Sequence, residues 1–458
     1  MSSRSWRHIA ASLCLLGAGW LAQPSPAQAA GKKLVVWWNQ GFYPAEDQAM
    51  RKTVAAWEKK TGNKVELTFY NGSDLPTKII SAMTTGDVPD ICYVDNGDFL
   101  ITPQAAWKNK LVDVSSVVHT VSKYYSKTAL ISVHLYDNVT HTRSYFAVPI
   151  KQQALHNSVW RPLIEKAGYH VKDIPKTWNA YWKFFETVQT KLRAKGMRIY
   201  GLGFSMATKD SDSTYLINQM ILAYGGDLVS PDGKLMVGDP KVRAAAIKAI
   251  TLMTDAYKKG FVPPSAINWG DPDNNAAFYA KQIVMTPNAS LSIPVAMKDK
   301  PQLYYHDIVT QAQPLGPDGK PVRSLVAVKS AFIPKGAKNV ALAKAFLTYL
   351  VQPKNLDAYL KAAQGRWLPV MPSIVKNDPF WTNPKDPHLP VAVKQEVTGP
   401  TTPWFQEFNP AYADVNAQQI WGKAEADVVL NHMTPAAAVD KAFAQIKAIF
   451  AKYKVAAK

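Results

Sequence analysis

An α/β fold is predicted for this chain, and three features of the sequence predict it. Apolar strand-like runs alternate with amphipathic helical patterns from Leu34 to Asp95. That alternation implies a parallel sheet with crossover helices. The same mixture of strand and helix continues to the end of the chain. Proline is frequent, 32 residues in 458, yet the helical patterns stay clean, as expected where long loops join the elements.

The elements are expected in this order. Leu34 to Trp38 reads as a first strand. A helix from Pro44 to Lys60 carries Met50, Val54 and Trp57 on one face. Its first turn holds Glu46 and Asp47, and Lys59-Lys60 precede Gly62, which matches the helix dipole. A second strand covers Lys64 to Phe69. A second helix runs from Leu75 to Thr85, with Ser73 or Asp74 as cap and Gly86 as stop. Asp90 to Val94 is a third strand, and Tyr145 to Ile150 reads as a strand leaving the first domain. Thr177 caps a helix whose stripe is Trp178, Tyr181, Phe185, Val188 and Leu192. Asp239-Pro240 opens another helix, ended at Gly260, and Gln282 to Met285 is a further strand. Residues 340–362 form helices broken at Pro353. Pro410 to Lys452 is helical with a restart at Thr434-Pro435. There is no internal repeat.

The first 29 residues read as an export signal: Arg4 and Arg7, an apolar core from Ile9 to Ala22, and Ala27-Gln28-Ala29 before the cleavage point. Leu13 precedes Cys14 where lipidation would want a small residue, so no lipid anchor is expected. With Cys14 removed, Cys92 is the remaining cysteine. No internal disulfide is then possible, despite an oxidising compartment, and a buried inert thiol is expected. No later apolar run has membrane length, so a soluble mature protein is expected. The net charge of +19 comes from lysines scattered over helix faces rather than from a basic run. That pattern and export both argue against a nucleic-acid partner.

Several segments in order resemble the extracellular solute-binding proteins (family 1) of ABC importers, the group containing the maltose-binding proteins. They are Lys78 to Asp90, Phe146 to Pro149 with His156-Asn157 and Pro175 to Trp178, Ala223 to Gly226 with Gly260 to Pro264, Gln282 to Asn288, and Phe332 to Gly336 with Leu368 to Val370. Two departures are His156 in place of the usual aromatic and Lys281-Gln282 in place of a Gly-Lys turn. The resemblance implies a two-lobe periplasmic-binding-protein (Venus-flytrap) fold, each lobe a mainly parallel sheet flanked by helices. Lobe one is expected over 30–149 plus 312–350, and lobe two over 150–311 plus 351–458. Crossings should fall near Val148-Pro149, Ile308 to Gln311 and Tyr349 to Gln352.

A sugar offers apolar faces and a rim of hydroxyls, so its site needs aromatic plates and polar side chains on loops at strand ends. The loop after the first strand offers Asn39 and Gln40, with Trp38, Phe42 and Tyr43 nearby. Asp95 and Asp98 follow the third strand. Lys151-Gln152-Gln153 should turn one side chain, Gln152 being the expected one, towards the ligand. Trp269 in Asn268-Trp-Gly-Asp271 is the leading stacking candidate, with Asp271 beside it. Asn288 and Ser290 follow another strand, Arg366 and Trp367 share a loop, and Trp404 lies on a late segment.

No Gly-x-Ser-x-Gly elbow, His-Glu-x-x-His pair, Walker loop or dinucleotide fingerprint is present. Neither catalysis, a cofactor nor a metal is therefore expected. The expectation is a periplasmic, monomeric receptor that takes a small carbohydrate and delivers it to the membrane permease of an ABC importer. An acidic or phosphorylated ligand (glycerol 3-phosphate, an oligouronide, a sugar acid) is the alternative that Arg366 favours. A secreted carbohydrate-active enzyme would need two carboxylates across a cleft, for which Asp98 and Asp271 are the available pair.

Overall fold

The computed structural model describes residues 32–208, 210–453 and 455. The expected export signal lies outside the described residues. Among those described, no helix is long and apolar enough to cross a membrane.

The strands are β1 (Lys33–Asn39), β2 (Lys64–Tyr70), β3 (Ile91–Tyr93), β4 (His134–Asp137), β5 (Thr142–Tyr145), β6 (Val148–Gln153), β7 (His156–Trp160), β8 (Tyr200–Leu202), β9 (Ile283–Asn288), β10 (Ile308–Gln311), β11 (Ser324–Phe332) and β12 (Thr401–Pro403). One sheet has the order β12-β11-β3-β1-β2, with β6 also paired to β11. A second has the order β10-β7-β9-β8, and β4 with β5 makes a separate hairpin. Each sheet has its own large core, so the chain folds as two lobes.

Local sequence explains the first βαβ unit. Leu34, Val36 and Trp38 alternate inward along β1 and pack with Met50, Val54 and Trp57 of the helix Pro44–Thr61. The Glu46 side chain accepts a hydrogen bond from the Tyr43 backbone N–H at 3.2 Å, and Gly62 ends the helix in the left-handed region at φ 73°. Cys92 on β3 is fully buried, and burial pushes its thiol well above the ordinary range. A bulky maleimide should therefore label Cys92 in denaturant and not in native protein; rapid native labelling would contradict this packing.

Two expectations need correction. The first sheet is mainly parallel, as expected, with β11 and β12 parallel as well, but it is mixed, and the second sheet is mainly antiparallel. β1 runs parallel to β2 and β3, and β8 to β9, but β11 is antiparallel to β3 and β6, and β7 to β9 and β10. The antiparallel members are the strands flanking the crossings, where the chain enters or leaves a sheet against the direction of its βαβ units.

The lobe boundaries also move. Leu356, Tyr359, Leu360, Ile374, Trp381, Leu389 and Val393 belong to the core around β1, so residues 351–397 pack in lobe one rather than lobe two. The chain passes between lobes at Ala154-Leu155, between β10 and β11, and after β12, where Trp404 and the helices to Phe450 join the second core. Pro353 breaks a helix, as expected, without sending the chain across. Gln395 ties two of the crossings together: its Nε2 donates to the Leu155 carbonyl at 2.7 Å, and its Oε1 accepts from the Gln313 N–H at 2.8 Å.

Candidate functional site

The carboxyl ends of the parallel strands face one another across the lobes, the position where open α/β sheets take ligands. Loops after β1, β2 and β3 supply Asn39, Phe42, Ser73, Asp95 and Asn96 from lobe one. From lobe two, the segment after β8 supplies Asp210 and, in the first turn of the next helix, Asp212, while the end of β9 and the loop after it supply Asn288 and Ser290. Together they enclose a cavity of ≈ 670 Å³.

The lobe-one wall is held by charge and rings. Asp95 accepts from the Tyr93 hydroxyl at 2.7 Å and pairs with Lys151 Nζ at 3.1 Å. Burial acts to raise the Asp95 carboxyl, but Lys151, Arg366 and the Tyr93 hydroxyl together hold it below its ordinary range. Lys151 sits 4.0 Å from the centre of the Trp367 ring. The Arg366 guanidinium lies 4.5 Å from both the Phe42 and Trp367 rings, within cation–π range. Two glycines permit this wall. A side chain at Gly72 would meet Asn39 Oδ1 at 2.8 Å, and Gly365 takes φ 94° with Leu389 2.5 Å from where its Cβ would be.

The floor is polar and spans both lobes. Lys329 Nζ on β11 lies 2.9 and 3.0 Å from the Asp98 carboxylate oxygens and donates to the Tyr215 hydroxyl at 3.2 Å. Gln153 Nε2 donates to the same hydroxyl at 2.9 Å. Tyr215 stands on the lobe-two helix Ser211–Ala223, so these bonds join the lobes beneath the cavity.

The lobe-two wall gathers carboxylates around the start of that helix. Asp210 caps it by accepting from the Ser213 N–H at 3.1 Å. Asp271 Oδ1 accepts from the N–H groups of Ser211 at 2.7 Å and Asp212 at 3.3 Å. Asp212 accepts from Asn274 Nδ2 at 3.0 Å. Burial first, then repulsion from Asp271 and Asp210, raises the Asp212 carboxyl well above its usual range.

Of the residues expected at the site, Asn39, Asp95, Asp271, Asn288, Ser290, Arg366 and Trp367 are brought together on the cavity wall. The others lie elsewhere. Gln40 is exposed beyond the strand end, its carbonyl accepting from Asn39 Nδ2 at 2.7 Å. Asp98 turns inward to Lys329, which removes it from any pair of carboxylates facing across the cleft. Gln152 points away and donates to the Glu396 carbonyl at 2.8 Å; its neighbour Gln153 lines the cavity. Trp38 is core, stacked on Tyr93 at 4.2 Å. Trp404 is core too, between Phe99 and Tyr215.

Trp269 also misses the cleft. The 3-10 turn Pro264–Asn268 folds its ring back onto lobe two, where it is 6 % exposed and its Nε1 donates to Ser265 Oγ at 3.1 Å. The wall residues that sequence reading missed include Phe99, Asp210, Asp212, Tyr215, Lys329 and Asn416. A signal existed for Asp210 and Asp212: they follow the short strand β8, whose three residues were not read as a strand.

The model for the bacterial extracellular solute-binding proteins matches residues 52–390, well over half of the chain. The chain belongs to this family. Among related solute-binding proteins, a Deinococcus radiodurans protein named "Probable ABC transporter-binding protein" is 23% identical over 342 residues, 74% of this chain and 75% of its own length. The fold is that of an ABC transporter solute-binding protein from Thermotoga lettingae TMO bound with α-D-tagatose. That structure has TM-score 0.72 and 20% identity, with 92% of this chain and 100% of that one covered. It is likewise that of maltose-bound T. maritima MalE3, with TM-score 0.71 and 17% identity, 91% of this chain and 100% of that one being covered. As a member of this family the chain is a substrate-binding receptor of the two-lobe fold, and the family's place is outside the cytoplasm.

Proposed function

We propose that this receptor captures a carbohydrate between its lobes and delivers it, without turnover, to the membrane permease of an ABC importer. The observation that carries the reading is the cavity itself: ≈ 670 Å³, with polar side chains at strand ends and the rings of Phe42, Phe99 and Trp367 on its wall. A sugar needs that combination of hydrogen-bonding groups and apolar plates. The sugars bound by the T. lettingae and T. maritima proteins support it. The protein works in the periplasm, reached through a signal cleaved after Ala29, and acts as a monomer. No cofactor is required, because capture needs lobe closure and not chemistry.

Arg366 by itself would favour an acidic ligand. The wall opposite weighs more, since Asp210, Asp212 and Asp271 all line the cavity. An anion there meets three carboxylates for one guanidinium, so the neutral class is preferred. The pair that the sequence offered for a glycosidase, Asp98 with Asp271, is not formed, Asp98 being committed to Lys329.

Phe42 is 57 % exposed on the cavity wall, an open plate for a sugar face. With a sugar found in a thermal-shift panel, Phe42→Ala should lose about 2 kcal/mol of binding, roughly thirtyfold in affinity, on the scale of aromatic hot spots. Trp269→Ala should bind the same sugar with unchanged affinity. Calorimetry on the two variants decides: a loss confined to Trp269→Ala would move the site off this cleft. Release of nitrophenol from a panel of nitrophenyl glycosides would contradict binding without turnover.

A further inference from the structure

Resting on the carbohydrate reading above, we propose that Arg366 is a positioning residue: its guanidinium holds the Phe42 ring as a ready plate for the sugar and does not itself read the ligand's charge. The backbone on either side of Phe42 is pinned. The Gly41 N–H donates to Asp47 Oδ1 at 2.8 Å, and the Tyr43 N–H to Glu46 Oε1 at 3.2 Å. What this leaves free is the Phe42 side chain, exposed on the cavity wall. A loose ring there would have to be ordered by the sugar, and that ordering weakens binding.

Two contacts restrain the ring. Arg366 Cζ lies 4.5 Å from its centre, and the Tyr43 ring meets it in a T-shaped pair with centroids 5.0 Å apart. The same guanidinium lies 4.5 Å from the Trp367 ring, whose centre is 4.0 Å from Lys151 Nζ. Lys151 is in turn 5.5 Å from the Tyr93 ring, which stacks on Trp38 at 4.2 Å. Rings and cations thus follow one another from the exposed Phe42 down to the core. Every member stands on lobe one: Trp38 on β1, Tyr93 on β3, Lys151 on β6, and Arg366 with Trp367 on the loop after the helix Pro353–Lys361. The plate is built within a single lobe.

The base of Arg366 is fixed as well. Its N–H donates to the Ala363 carbonyl at 2.9 Å, and Trp367 beside it is buried. The neighbouring carboxylates have other partners: Asp95 pairs with Lys151 at 3.1 Å, and Asp212 accepts from Asn274 Nδ2 at 3.0 Å. Arg366 Nε is buried and has no hydrogen-bond partner. Shut off from the cavity, that N–H reaches no ligand, so a side-on bidentate grip on a carboxylate is closed to this residue. A guanidinium over two rings acts instead through their faces, where the quadrupole attracts its charge.

The test has two parts, on variants checked for folding by urea titration. The first needs no ligand: para-fluorophenylalanine is placed at position 42 and its fluorine resonance recorded in the unliganded receptor. In Arg366→Ala the resonance should move towards that of the label in unfolded protein, and an unmoved resonance overturns the inference. The second is calorimetry with the neutral sugar that binds best in the thermal-shift panel. Arg366→Ala should bind it about fivefold to tenfold more weakly. In the Phe42→Ala background, whose own loss is roughly thirtyfold, Arg366→Ala should cost nothing further, because the ring it holds is gone. Arg366→Lys, which keeps a cation over the rings, should recover most of the loss, and the neutral Arg366→Gln should not. Losses that multiply in the double variant would make Arg366 a ligand contact, and recovery by Arg366→Gln would reduce it to packing. Either result, or parental affinity in Arg366→Ala, overturns the inference and leaves the carbohydrate reading standing. If no sugar of the panel binds, the carbohydrate reading falls, and the fluorine resonance still decides whether Arg366 holds the ring.

Discussion

Asp98→Ala should unfold in urea with about 3–5 kcal/mol less stability than the parent, the scale of a buried charge left without its partner. Lys329 and Asp98 have side-chain exposures of 3% and 4% and meet at 2.9 Å. The pair as a whole is near break-even: burial raises the Asp98 carboxyl and works against the pull of Lys329. Removing the carboxylate alone is different, because the ammonium stays in the interior with the Tyr215 hydroxyl as its remaining hydrogen-bond acceptor. The double variant Asp98→Leu with Lys329→Met should therefore recover most of the loss. A single variant costing under about 1 kcal/mol would mean that water reaches the pair, and the floor of the cleft would then be open.

The first βαβ unit was legible because its information is local. The period-two stripe of β1, the helix stripe at Met50, Val54 and Trp57, and the stop at Gly62 all sit within thirty residues and agree with one another. The third crossing was not legible for the same reason. Pro353 announces a helix break, but whether the chain then changes lobe depends on which core receives Leu356 and Tyr359. Apolar periodicity is the same against either sheet.

At the site, sequence reading found loops and missed orientations. Asp95 and Asp98 flank one turn, yet the short helix Gly97–Leu100 sends Asp98 inward to a lysine 231 residues away. Between Gln152 and Gln153 the sequence offers no choice, because every residue of β6 is buried and no alternation marks the face. The turn at Trp269 looked free of any packing surface, since the lobe-two core that the ring joins is assembled from elements far apart in the sequence. Trp38 could have been assigned: its parity with Leu34 and Val36 already placed it in the core.

Trp404 separates packing from binding most sharply, since the same variant should behave oppositely under the two roles. Its ring is fully buried, 4.8 Å from Phe99, on the segment after β3, and 4.8 Å from Tyr215 on lobe two. It follows β12, where the chain makes its last passage between the lobes. The indole Nε1 has no partner, so the residue contributes through its ring and not through a hydrogen bond. Truncation to alanine should cost about 3–5 kcal/mol of stability, as for other buried aromatics, and Trp404→Phe should restore much of it by refilling the space. The effects of Trp404→Ala and Asp98→Ala should not add, because Tyr215 and Phe99 touch both sites. Affinity for the sugar should change only as far as closure of the lobes is disturbed, and the Phe variant should bind as the parent does. Unfolding curves and calorimetry on Trp404→Ala and Trp404→Phe measure this directly. Parental stability in Trp404→Ala combined with a lost ligand would return this ring to the binding surface, and would mean that the second core closes without it.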